Sequence, residues 1–92
     1  MAWFLIETLY NPEKYLDVRP RHRDFLLGLV AQGRVAFTGP FADDSGAAML
    51  LQADDLEALH EMIDSDPYHL EGALAERTIR EFLPVLGAWV PA

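Results

Sequence analysis

His22 is the side chain best placed to do acid–base chemistry. In Val18-Arg19-Pro20-Arg21-His22-Arg23-Asp24-Phe25-Leu26 it stands three and four residues before Phe25 and Leu26, the first members of an apolar stripe that Leu29 and Val30 continue. On a helix it shares their face and points inward. An inward imidazole is either a packed residue at the core edge, hydrogen-bonded to backbone, or a proton-transfer group. Proline suits the first helical position, so the spacing predicts a helix from about Pro20 to Gln32, with Gly33 as its C-terminal stop. His22 then lies in the first turn, where the positive end of the helix dipole favours the neutral ring, the form that accepts a proton near pH 7. Arg19, Arg21 and Arg23 push the same way. A carboxylate partner would push the other way and would fix the ring tautomer.

Asp66 precedes Pro67 and is placed to cap a short helical turn, Asp66 to Gly72. A carboxylate has acceptor sites enough for a cap and a second partner. Arg19 either binds an anionic substrate or sits in solvent. His60 and His69 read as surface or edge residues, and no pair among the three histidines has the spacing of a zinc helix motif, so no metal site is expected. Ser45, in Phe41-Ala42-Asp43-Asp44-Ser45-Gly46, lacks the glycine two positions earlier that a nucleophile elbow needs, which favours a turn role. Gly39 and Pro40 shape a pocket rim through their backbone. No dinucleotide or phosphate-loop signature is present, and no cofactor is expected.

The elements that must position these groups follow from periodicity. Ala2 to Tyr10 is a first strand, bounded by the turn signal Asn11-Pro12. Trp3, Leu5 and Leu9 point one way and Phe4, Ile6, Thr8 and Tyr10 the other, so both faces want cover. After the helix come a short strand Val35 to Thr38, ended by Gly39-Pro40, and a third strand Ala47 to Gln52, which completes a hairpin. A second helix runs from about Asp55 to Ser65, with Leu56, Leu59, Met62 and Ile63 at helical spacing. Arg77 to Leu83 reads as a fourth strand, followed by Pro84 and a tail containing Trp89. This order is the α+β ferredoxin-like βαββαβ arrangement: a four-stranded antiparallel sheet with both helices on one face and the other face open. The apolar atoms on that open face predict a homodimer packed through the sheets.

Composition narrows the function classes. Residues 1–92 make one domain with 51% hydrophobic and 24% charged residues, an ordinary globular balance. Seven basic residues against fifteen acidic ones leave a net charge of −8, which disfavours nucleic acid as a partner. The absence of cysteine excludes disulfides and thiolate chemistry and fits a cytoplasmic protein. The N-terminus lacks the features of a signal peptide, and no apolar run is long enough to cross a bilayer, so no membrane association is expected.

Arg19-Pro20-Arg21-His22, Gly33 with the following Gly39-Pro40, Asp44-Ser45-Gly46 and Asp66-Pro67-Tyr68 come in an order and spacing that resemble the YCII-related (YciI-like) family over nearly the whole chain. The resemblance implies a dimeric α+β barrel of ferredoxin-like protomers, and a pocket in which a histidine and an aspartate, here His22 and Asp66, form a catalytic pair. Arg19, Gly39, Pro40, Ser45 and Tyr68 fall in the matching segments and make the candidate substrate-binding set. Relatives in the same dimeric superfamily include muconolactone isomerase and a chlorohydroxyquinol dehydrochlorinase. The expectation is a small cofactor-independent enzyme, performing isomerisation or elimination on a small, aromatic-derived metabolite. A non-catalytic small-molecule-binding or sensing dimer stands as the alternative.

Overall fold

The computed structural model describes residues 1–87; Trp89 lies outside them. Seven elements follow one another: β1 (Ala2–Tyr10), α1 (Tyr15–Ala31), β2 (Val35–Pro40), β3 (Gly46–Ala53), α2 (Leu56–Ile63), α3 (Pro67–Leu70) and β4 (Leu74–Phe82). The four strands form one sheet in the order β2-β3-β1-β4, and every pairing is antiparallel. This is the ferredoxin-like βαββαβ arrangement, the protomer fold of the dimeric α+β barrels. None of the described helices is long and apolar enough to cross a membrane.

Alternation along β1 decides what lies inside. Phe4, Ile6, Thr8 and Tyr10 are buried, whereas Trp3 and Leu5 are half-buried and Glu7 and Leu9 exposed. Phe4 and Ile6 join Met49, Leu51 and Ala53 of β3 and meet Leu26, Leu29, Leu59 and Ile63 from the helices in the main core. A second, smaller cluster of Tyr10, Val18, Ala47, Tyr68 and Ala73 closes the end of the molecule where α1 meets α3. β1 and β3 approach so closely at Gly46 that a Cβ built there would stand 1.8 Å from the Thr8 carbonyl oxygen. Gly33, just beyond α1, has φ +74°, a left-handed backbone that only glycine adopts without strain.

Three differences from the expected boundaries bear on the site. β2 continues through Pro40, which pairs with Ala47 at the edge of the sheet, where a missing N–H is tolerated. β4 begins at Leu74 rather than Arg77, across an irregularity beside Leu9 and Tyr10. The largest difference is α1, which begins at Tyr15 and carries Pro20 inside it. A proline there leaves the Leu16 carbonyl without its helical donor, but Leu16 and Pro20 are both exposed. The added turn is held by tertiary contacts: Tyr15 stacks on Tyr10, Val18 is buried, and Arg19 is ion-paired with Asp44. His22 therefore stands in the middle of the helix, and the dipole argument for its neutral form does not apply.

Candidate functional site

One face of α1 presents Val18, His22, Leu26 and Leu29 to the interior, the i, i+4, i+8, i+11 progression of a single buried stripe. His22 retains 8% exposure and Asp66, at the start of α3, 5%. Nδ1 of His22 lies 2.8 and 2.9 Å from the two carboxylate oxygens of Asp66. The same Oδ1 accepts from the Tyr68 backbone N–H at 2.9 Å, so Asp66 caps α3 and holds the imidazole at once. Tyr68, buried below the ring, stacks on His22 with centroids 3.7 Å apart and planes 13° from parallel. Asp66 fixes the edge of the imidazole and Tyr68 fixes its plane.

This geometry sets the tautomer. An ionised carboxylate only accepts, so Nδ1–H donates, and in the neutral ring the lone pair falls on Nε2. Among the described residues Nε2 has no hydrogen-bond partner, and no side-chain nitrogen or oxygen is sealed away unpaired. Nε2 is thus the reachable nitrogen. His22 lines a pocket of about 180 Å³ with Tyr10, Arg19, Arg23, Leu26, Thr38, Gly39, Pro40, Ala47 and Tyr68. That is space for one substituted six-membered ring, since a cavity of roughly 150 Å³ admits benzene.

A second network braces the first. Nε of Arg19 donates to the Tyr68 hydroxyl at 3.3 Å and its Nη2 to Asp44 Oδ1 at 2.7 Å. The Tyr15 hydroxyl donates to Asp44 Oδ2 at 3.1 Å. The Arg19 guanidinium stands 5.7 and 5.2 Å from the ring centroids of Tyr10 and Tyr15, within cation–π range. Asp44 reaches this position from the β2–β3 turn with φ +58°, a left-handed conformation that aspartate tolerates better than most residues. The hydrogen bond from Arg19 holds the Asp44 carboxyl below the usual carboxylate range, and Asp44 together with Tyr68 keeps Arg19 firmly charged. Burial, then the neighbouring Tyr68, pushes the Tyr10 hydroxyl up.

Residues 2–83 match the model of the YCII-related domain. The chain belongs to that family. The uncharacterized protein YjpA of Bacillus subtilis (strain 168) is 39% identical to it over 82 residues, spanning 89% of this chain and 95% of YjpA. Among solved structures, this YCII-related chain is similar to 5-chloro-2-hydroxyhydroquinone dehydrochlorinase (TftG) from Burkholderia phenoliruptrix AC1100, solved in complex with 2,5-dihydroxybenzoquinone. That likeness has a TM-score of 0.77 and 20% identity over 88% of this chain and 93% of that one. PA3566 from Pseudomonas aeruginosa follows with a TM-score of 0.64 and 14% identity, covering 92% and 94%. At these identities the structural likenesses establish the fold.

Of the sequence-based site residues, His22, Arg19, Gly39, Pro40 and Tyr68 line the one pocket, with Asp66 behind the imidazole. Tyr68 packs on the imidazole as well as on the pocket. Ser45 is not among the lining residues; its Oγ donates to Asp43 Oδ1 at 2.6 Å within the turn. His69 lies apart, 3.2 Å from Arg77. Tyr10, Tyr15, Thr38 and Asp44 were not anticipated as site residues. Tyr10 carried a signal, its place on one apolar face of β1 with Phe4 and Ile6, whereas Asp44 entered only as part of the Asp44-Ser45-Gly46 segment of the family resemblance.

Proposed function

We propose that this YCII-related protein is a small enzyme in which His22 moves a proton to or from a small, ring-shaped, aromatic-derived metabolite, with Asp66 orienting it. The observation that carries this reading is the buried Nδ1–Asp66 contact, which leaves Nε2 as the free nitrogen of a pocket of ring size. Proton removal at Nε2 followed by loss of a leaving group, or by return of the proton at another position, gives elimination or isomerisation and needs no cofactor. Asp66 would stabilise the imidazolium formed on proton uptake through the Nδ1–H it accepts. The fold shared with TftG, a dehydrochlorinase solved with a quinone of the same ring size, supports elimination on a ring substrate. Arg19, Gly39, Pro40 and Tyr68 form the binding wall. We place the protein in the cytoplasm on its lack of cysteine.

The functional unit on this reading is a homodimer packed through the open sheet face. Trp3, Leu5 and Leu9 face that side of β1, and Phe82 of β4 pairs beside Trp3; Leu9 and Phe82 are each 42% exposed.

Chlorinated hydroquinols, 5-chloro-2-hydroxyhydroquinone first, are the substrates to assay, by chloride release and product absorbance. His22→Gln is expected to lower kcat by about 10²–10⁴-fold, the usual contribution of a positioned acid–base group. Asp66→Asn should lower it less, because the ring loses its orientation but remains in place. Unchanged turnover in both variants would show that the pair does no chemistry.

A further inference from the structure

We propose that Arg23 recognises an anionic oxygen on the ligand of the His22 pocket, so that the site takes small ring acids: molecules bearing a carboxylate or an ionised ring hydroxyl. This rests on the reading of that pocket as a ligand site, and it assigns the substrate class. Three lining residues carry or can carry positive charge: Arg19, His22 and Arg23. Arg19 is committed to Asp44 and Tyr68, and His22 to Asp66. Arg23 makes no hydrogen bond or ion pair with any described residue, although it borders the same pocket. Asp44 feels its charge, but both Asp44 oxygens already accept, one from Arg19 and one from Tyr15.

Arg23 is exposed, and its position ties it to the pocket. Arg23 follows Arg19 by four residues on α1, so two like charges stand one turn apart beside a single carboxylate, an arrangement that a ligand anion would relieve. It lines the same pocket as Arg19 and His22. That pocket adjoins an apolar groove lined by Leu26, Leu27, Val30 and Thr38, in which Arg23 is the one charged lining residue. An acid group drawn to Arg23 would be fixed at a border with few competing polar groups, its ring lying toward Nε2. In a chain with net charge −8, a local unpaired cation at a pocket also steers anions toward a surface that otherwise repels them.

The test is calorimetric binding to the full chain of three acid–amide pairs: benzoate, salicylate and 2,5-dihydroxybenzoate, each against its uncharged carboxamide. Wild type should bind at least one acid about tenfold or more tightly than its amide, the scale of one charge-assisted hydrogen bond. Arg23→Gln should erase that preference, and Arg23→Lys should keep most of it at low salt. Equal binding of acids and amides, a preference that survives in Arg23→Gln, or no acid binding by ~10 mM would each overturn the assignment. Arg23 has no bond to lose, so both variants should melt with the wild type. His22→Gln separates the two claims: it should retain the acid preference, which is read without turnover, whereas failure of the proton-transfer reading alone would appear only in the chloride assay.

Discussion

At the scale of residues, the site is built from side chains that each serve two neighbours. Asp66 accepts from His22 and from the Tyr68 backbone; Asp44 accepts from Arg19 and Tyr15. The second pair gives a pH prediction. Arg19, through its hydrogen bond, lowers the folded-state pKa of Asp44 from an ordinary value of 3.8. A depressed carboxyl contributes stability that is fully present above the unfolded value and is lost as pH falls through the folded one. The melting temperature of wild type should therefore exceed that of Asp44→Asn near neutrality, and the gap should narrow below about pH 4. Added salt should narrow it as well, because the pair is partly exposed. A gap independent of pH would assign the effect of Asp44 to packing. His22 was legible as an inward residue because a helical stripe reveals direction. The role of Asp44 was not, since it depends on a left-handed turn residue crossing to another element, which no local pattern encodes.

At the scale of elements, β1 matched its sequence reading because a run of aromatic and branched residues closed by Asn11-Pro12 leaves little choice of element, and Phe4, Ile6, Thr8 and Tyr10 share one buried face. α1 did not, because a proline that suits a first turn also survives inside a helix when its neighbours are anchored elsewhere. Tyr15, Val18 and Arg19 supply that anchoring, through Tyr10, the second core cluster and Asp44. The consequence for the site is that the orientation of His22 comes from Asp66, the cap of α3, and not from a place at the start of α1. The β1–β3 contact is equally sensitive to one residue. Gly46→Ala would drive a methyl group into the Thr8 carbonyl and should destabilise the fold by about 1–3 kcal/mol or more, measured by urea unfolding. Ala47 and Tyr10 lie beside that contact and line the pocket, so ring-acid binding should weaken in the same variant.

At the scale of the whole molecule, the helix-covered face and the open face of the sheet differ in what they still need. Leu50 is 1% exposed on the open side even in the single chain, while Leu9 and Phe82 remain 42% exposed. Sedimentation velocity at micromolar concentration should show a dimer, and Leu9→Lys with Phe82→Lys should shift it to monomer with the helical signal retained. A wild-type monomer under those conditions would overturn the sheet-face interface. The βαββαβ order and the open face were both legible from periodicity, whereas the pocket was not, because its walls come from α1, α3 and both central and edge strands.

The strand order carries a consequence for biosynthesis. Of the described strands β1 is made before the others, yet it pairs along one edge with β4, the last of them. Sixty-four positions separate Tyr10 from Leu74, roughly 3–13 s of synthesis at ~5–20 residues per second. Throughout that interval a nascent chain displays β1 as an unpaired apolar edge, the kind of template that recruits other strands. His22 is translated 44 residues before Asp66, so the histidine waits for its partner while the sheet is still incomplete. Premature termination anywhere before β4 would release a chain with its central strand uncovered, a substrate for chaperones and proteases rather than a smaller working protein.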